Sequence, residues 1–165
     1  MFAMVTTRAE LRNIGFQGFV RFAELPATAV PSTQGVYAVL RCTQEPPEFL
    51  PRNPAGAICG DPSVSPEALA AAWVNGAEVL YFGKATHLER RLDAYRRHGL
   101  GSRARHWGGR YVWQLADAGA LVVAWRPTPG NDPATVESDL IRMFVEAAGQ
   151  RPFANRNLGS RPAPD

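Results

Sequence analysis

The chain has 165 residues, of which 45% are hydrophobic and 20% are charged, with a formal net charge of +3. These values are typical of a globular protein, and we expect residues 1–165 to form a single domain. No run of about 18 apolar residues is present, which argues against a membrane span. The N-terminus lacks a secretion signal, and two cysteines without a CxxC motif indicate free thiols in a reducing cytoplasm.

The predicted elements begin after an N-terminal extension, residues 1–34. The first strand is "GVYAVLRC", residues 35–42, because it is rich in Val and Tyr and follows turn residues. Residues 43–66 contain six prolines, so we expect an insertion without regular structure that bulges away from the sheet. A short helix over 65–76 follows, capped by Ser65 and ended by Gly76.

The second half of the chain is predicted to continue with a strand, a helix, a hairpin and a last helix. These are "AEVLYFG" (77–83), residues 86–98, the pair "RYVWQLA" and "ALVVAWRP" (110–127), and residues 132–149. Asp132 caps the last helix and Gly149 ends it. Residues 158–165 are predicted to be a flexible tail.

Positive charge is concentrated in one part of the chain, residues 84–110, called here the basic segment. It holds eight basic residues and two acidic ones, so the rest of the chain is net negative. A basic face with Trp and Tyr nearby suits a polyanion such as nucleic acid. A solvated arginine-rich surface is the alternative. The candidate nucleic-acid contacts are Arg96, Arg97, Arg103, Arg105, His106 and Arg110.

Two charged residues fall on apolar helix faces. Arg91 lies beside Leu92 and Tyr95 on one helix, and Glu137 lies in the buried stripe of the last helix. An ion in such a place costs several kcal/mol unless it is paired or binds a metal. The two residues could pair with each other, or Glu137 could be stabilised by the helix dipole. Alternatively, they could face a phosphodiester in a cleft.

Five landmarks occur in a recognisable order: "GVY" at 35–37, "YFG" at 81–83, Arg91 ten residues after Tyr81, a helix bearing Glu137, and a late asparagine. This pattern resembles the GIY-YIG nuclease superfamily, and residues 79–96 are similar to the N-terminal incision domain of UvrC-type excision nucleases. The resemblance implies an α/β sandwich with a small, mainly antiparallel three-stranded central sheet flanked by helices. A long insertion would separate the first two core strands, where the family usually has a short hairpin.

The resemblance also implies seven catalytic positions: Tyr37, Tyr81, Lys84, Arg91, Tyr95, Glu137 and Asn155. Either Tyr37 or Tyr81 would deprotonate or orient the attacking water, and Arg91 would grip the scissile phosphate. Glu137 would ligate Mg²⁺ or Mn²⁺. Asn157 is the alternative to Asn155.

The function implied is therefore a metal-dependent DNA endonuclease, with RNA as the other possible substrate. The alternative is a non-catalytic nucleic-acid-binding or regulatory module with the same fold. The sequence has no second DNA-binding domain, so we expect target specificity to come from the insertion, the N-terminal extension or a protein partner.

Overall fold

The computed structural model describes residues 4–104 and 106–156, and a four-stranded antiparallel sheet lies at its centre. The strands are β1 (Gln17–Arg21), β2 (Gly35–Leu40), β3 (Val79–Ala85) and β4 (Val122–Pro127), in the spatial order β1-β4-β2-β3. The α-helices are α1 (Arg8–Asn13), α2 (Pro66–Ala72), α3 (Leu88–Gly99) and α4 (Pro133–Ala148). None of the described helices is long and apolar enough to cross a membrane.

The sheet separates two hydrophobic clusters, because successive side chains of a strand point to opposite faces. On β2, Tyr37 and Val39 join the cluster that contains Leu92 and Tyr95 of α3. The alternate residues of β2 join a second cluster, with Leu140, Ile141 and Phe144 of α4. The α/β prediction of an antiparallel sheet flanked by helices is therefore confirmed, and β2 is buried along its whole length.

The sheet has four strands rather than the three predicted, because the N-terminal extension contributes to it. β1 pairs with β4 in antiparallel fashion, and α1 packs Leu11 into the α4-side cluster. Residues 1–34 are therefore only partly an extension, since α1 and β1 contribute buried side chains to the core.

The predicted hairpin over 110–127 is wrong in its first strand. Residues Arg110–Gln114 and Ala118–Ala120 form 3₁₀ helices, and only β4 is a strand. The neighbours of β4 are β1 and β2, so no strand position beside it is left for residues 110–116. Gln114 is fully buried and hydrogen-bonds with Val64 and Leu50 of the insertion, which holds this segment away from the sheet.

The predicted helices are present, with small shifts at their ends. The side chain of Asp132 accepts hydrogen bonds at the start of α4, and Gly149 ends it in the left-handed region at φ 79°. α3 begins two residues later than expected, after His87, whose side chain accepts a hydrogen bond from the Arg90 amide. α2 is shorter than predicted and ends at Ala72.

The insertion has neither helix nor strand from residue 43 to 65, as predicted, apart from an isolated bridge between Phe49 and Leu115. It does not bulge away from the molecule. The Gly56 amide donates to the His98 carbonyl at the end of α3, and the Gly56 carbonyl hydrogen-bonds with Nε2 of the His98 side chain. The side-chain amide of Asn53 donates to the Arg110 carbonyl at 2.8 Å. The insertion thus packs against the basic segment and is hydrogen-bonded to it.

Arg105, Asn157 and the predicted tail 158–165 lie outside the described residues.

Candidate active site

A cleft of about 830 Å³ opens where the end of β3 meets the first turns of α3 and α4. Its ionic lining has an excess of positive charge, with five cations and two carboxylates: Lys84, Arg90, Arg91, Arg110 and Arg156, with Asp132 and Glu137. Both helices begin at the cleft, so the positive ends of their dipoles add to this field. The cleft therefore suits an anionic ligand.

Tyr37 forms the floor of the cleft at 0% exposure. Its ring lies across Gly83, the residue opposite it on β3. A Cβ on Gly83 would lie 2.7 Å from Cε2 of Tyr37 and nearer still to Cζ and the hydroxyl oxygen. The glycine of "YFG" is therefore required by the tyrosine of "GVY", which couples the two motifs physically.

The Tyr37 hydroxyl lies 2.7 Å from Nε2 of His106 in a buried hydrogen bond. Burial raises the pKa of Tyr37, whereas the positive charge of Arg91 and a hydrogen bond with it act in the opposite direction. The hydroxyl of Tyr81 also lowers the pKa of Tyr37 through a hydrogen bond. The negative charge of Glu137 acts in the same direction as burial, and the pKa of Tyr37 is raised above its ordinary value.

Tyr81 lines the wall of the same cleft, with its ring centroid 6.1 Å from that of Tyr37. Burial raises its pKa well above the ordinary value, and the neighbouring Tyr37 and Glu137 raise it further. Gly108 lies against the Tyr81 hydroxyl, at 3.2 Å from a Cβ built on that glycine. Burial raises the pKa of both motif tyrosines, and the rise is smaller for Tyr37.

Tyr95 is fully buried and does not line the cleft. Its hydroxyl donates to the Gly109 carbonyl at 2.7 Å, and its ring stacks on that of His106 with centroids 3.5 Å apart. A Cβ on Gly109 would collide with the Tyr95 hydroxyl. The paired glycines of the basic segment therefore let its backbone approach these tyrosines.

His106 occupies a place that sequence reasoning did not foresee. Its side chain is 0% exposed, which contradicts the interpretation of His106 as a direct nucleic-acid contact. Burial lowers its pKa well below the usual value, and the charge of Arg91 lowers it further. The imidazole is therefore neutral and orients Tyr37 from inside the protein. The adjacent pair of glycines was the available signal of such a close approach.

Arg91 and Glu137, the two charged residues on apolar helix faces, come from α3 and α4 and line the same cleft. Arg91 is half-buried and Glu137 is 6% exposed. Burial lowers the pKa of Arg91, but the nearby Tyr37, Tyr81 and Tyr95 outweigh that effect, and the pKa is raised. The guanidinium is thus fully charged within the cleft.

Lys84 and Asn155 take different positions around β3. Lys84 is half-buried at the cleft wall. The side chain of Asn155 accepts from the amide of Phe82 and donates to its carbonyl, both at 2.9 Å. Ala154 adds a hydrogen bond to the Leu80 carbonyl, so the C-terminal segment covers the outer edge of β3. Asn155 therefore positions the residue next to Tyr81.

The remaining predicted nucleic-acid contacts are dispersed. Arg96 and Arg97 both form ion pairs with Asp93, and neither lines the cleft. Arg103 is exposed outside it, whereas Arg110 is part of its rim.

A metal ion would have few protein ligands here. Among the described residues, no group of three or more His, Cys, Asp and Glu side chains could hold one. Glu137 and Asp132 are the carboxylates of the cleft. Mg²⁺ is commonly held by one or two carboxylates together with water and substrate phosphates, and this donor set fits such a shared site.

No protein-family model matches the chain, and neither does any curated protein or solved structure. The resemblance to the GIY-YIG superfamily therefore rests on the motif residues themselves.

Proposed function

We propose that the protein is a metal-dependent endonuclease that hydrolyses phosphodiester bonds of DNA. The observation that carries this proposal is the convergence of Tyr37, Tyr81, Arg91 and Glu137, from four separate elements, on one positively charged cleft. Phosphodiester hydrolysis requires an activated water and stabilisation of the additional negative charge, and these residue types supply both.

Arg91 would bind the scissile phosphate. Its guanidinium presents a planar set of donors that matches phosphate geometry. The other cations of the cleft would attract the DNA strand and raise the rate of association.

Tyr37 would orient the attacking water through its hydroxyl oxygen. Burial raises the pKa of both tyrosines, but Arg91 and a hydrogen bond with Tyr81 act against the rise at Tyr37, and the pKa of Tyr81 is raised further. The neutral imidazole of His106 would keep the Tyr37 hydroxyl in one orientation through the 2.7 Å hydrogen bond. We therefore propose that Tyr37 orients the attacking water and that Tyr81 is its hydrogen-bond partner.

Glu137 would hold the metal, and Asp132, the N-cap residue of α4, is the other carboxylate that lines the cleft. When bound, Mg²⁺ or Mn²⁺ would stabilise negative charge on the phosphate as a Lewis acid. Lys84 would add a further positive charge at the wall.

The test is Glu137→Gln, with Glu146→Gln as a control on the exposed side of the same helix. Both variants and the parent are incubated with supercoiled plasmid and with flapped DNA in Mg²⁺, Mn²⁺ or EDTA. We expect Glu137→Gln to lose nicking but to bind DNA at least as tightly, because one negative charge leaves the cleft.

The stability of the same variant separates the alternatives. If Glu137 only neutralised a buried cation, its removal would destabilise the protein by about 3–5 kcal/mol. If it binds metal, stability in EDTA should hold or rise, because a desolvated carboxylate is removed. A Glu137→Gln protein that nicks at the parental rate would refute the catalytic role, and a parent that binds DNA without nicking it would favour the non-catalytic module.

A further inference from the structure

Two arginines at the rim of the cleft are held against aromatic rings. The guanidinium carbon of Arg110 lies 4.6 Å from the ring centroid of Trp107 and 5.6 Å from that of Tyr111. Arg156 lies 5.1 Å from the same Tyr111 ring. Energetically significant contacts of this kind occur roughly once per 70–80 residues, so three that share two arginines and two rings form a distinct local feature.

We infer that Arg110 and Arg156 form a second phosphate subsite, which binds a phosphate flanking the scissile one on the same DNA strand. The inference rests on the proposed function and adds Arg156, which the sequence did not single out. Both arginines line the cleft that also holds Arg91.

The charges of this subsite are not compensated by carboxylates in the part of the chain that the structure describes. Neither Arg110 nor Arg156 takes part in an ion pair there, whereas Arg96 and Arg97 both bond to Asp93. Their hydrogen bonds go to backbone carbonyls, of Trp107 at 3.5 Å and of Asn155 at 3.1 Å. Two neighbouring cations without a counter-charge are stabilised when an anion binds between them.

The aromatic support prepares the subsite for binding. A free arginine side chain carries about 2 kcal/mol of rotamer entropy, and contact with Trp107 and Tyr111 restricts it before the ligand arrives. The planar guanidinium remains free to donate to phosphate oxygens from its edge. A cleft with two separate phosphate-binding groups selects a chain of consecutive phosphates over a phosphomonoester.

The subsite is tested with single-stranded DNA oligonucleotides in which one phosphate at a time is replaced by a neutral methylphosphonate. Binding is measured by fluorescence anisotropy in EDTA for the parent, Arg110→Gln, Arg156→Gln and the double variant. The control is Arg12→Gln, because Arg12 also stacks on a ring, that of Phe19, but does not line the cleft. Thermal melting confirms that each variant is folded.

We expect the parent to bind roughly tenfold more weakly when the methylphosphonate replaces one particular phosphate, which is distinct from the phosphate that Arg91 contacts. The double variant should lose sensitivity at that position alone, with a salt slope smaller by about one, and Arg12→Gln should keep the parental profile. Arg110→Lys should recover only part of the affinity, because it restores charge without the planar donors.

The inference is overturned if the double variant keeps the parental methylphosphonate profile, or if both single variants bind as tightly as the parent. The outcome is independent of nicking. Suppose that the parent fails to nick DNA but is sensitive to one methylphosphonate position, and that the double variant loses this sensitivity. This result supports the subsite and refutes the proposed nuclease activity. If the parent nicks DNA but the double variant keeps the parental methylphosphonate sensitivity, only the subsite is refuted.

Discussion

The buried histidine that hydrogen-bonds to Tyr37, His106, allows a quantitative prediction about the dependence of stability on pH. We compare the parent with His106→Gln, which keeps a polar group for the Tyr37 hydroxyl, and with His106→Phe, which keeps a ring against Tyr95. Neither replacement titrates. Because burial lowers the pKa of His106 in the folded protein, the unfolded chain takes up a proton below about pH 6.5 that the folded chain refuses.

The sign and size of the effect follow from this difference. The stability associated with the neutral His106 is fully present above pH 6.5 and is lost as the pH falls, by about 1.4 kcal/mol per unit while the folded histidine stays neutral. Between pH 7.5 and pH 5 the loss is about 2 kcal/mol. Burial also lowers the pKa of His98, but that residue is present in all three proteins and cancels in the comparison.

The assay is urea unfolding followed by tryptophan fluorescence at the two pH values. The parent should lose about 2 kcal/mol more than either variant on acidification. His106→Phe should also be less stable at every pH, by about 1–3 kcal/mol, because the buried Tyr37 hydroxyl loses this partner. Equal acid sensitivity in all three proteins would refute a neutral, buried His106.

Three further predictions concern glycines and the C-terminal asparagine. Gly83→Ala should destabilise the protein by about 1–3 kcal/mol and reduce nicking strongly, because the new Cβ displaces Tyr37. Gly119→Ala, where a Cβ meets no neighbour within 4 Å, is the control, and equal nicking activity of the two variants would contradict the argument. Asn155→Ala should lower the free energy of unfolding by about 1–3 kcal/mol, since two buried backbone groups of β3 lose their partner, and unchanged urea unfolding would oppose this. Gly56→Ala should speed proteolysis of the basic segment, because its Cβ would collide with that backbone; parental resistance would mean that the insertion is dispensable.

Local patterns were sufficient to predict much of the framework. The caps Ser65 and Asp132 and the terminal Gly149 act within one turn of their helices, so the sequence predicted α2 and α4 directly. Arg91 and Glu137 were singled out because burying an ion requires a compensating environment, and both line the same cleft.

Contacts between distant parts of the chain could not be predicted in the same way. β1 is short, has a bulge opposite β4 and contains Phe19 at a positive φ of 57°, so it lacks the clean alternation that identifies strands. The sequence predicts a strand at residues 110–116, which contain Gln114, but this segment forms a 3₁₀ helix. Its actual conformation depends on hydrogen bonds to Leu50 and Val64 of the insertion, 50 or more residues away.

The basic segment shows why a local charge count does not define a binding face. Arg96 and Arg97 lie on the outer side of α3, and the carboxylate of Asp93 offsets part of their charge. Arg110 belongs to the same segment but turns toward the cleft, where the first turns of α3 and α4 also direct their positive ends. At an ionic strength of about 0.1 M, the field of an exposed charge is largely screened beyond about 10 Å. Partly buried charges in a concave site are screened less. The positive field is therefore concentrated at the cleft, whereas the sequence predicted a basic face over the whole of residues 84–110.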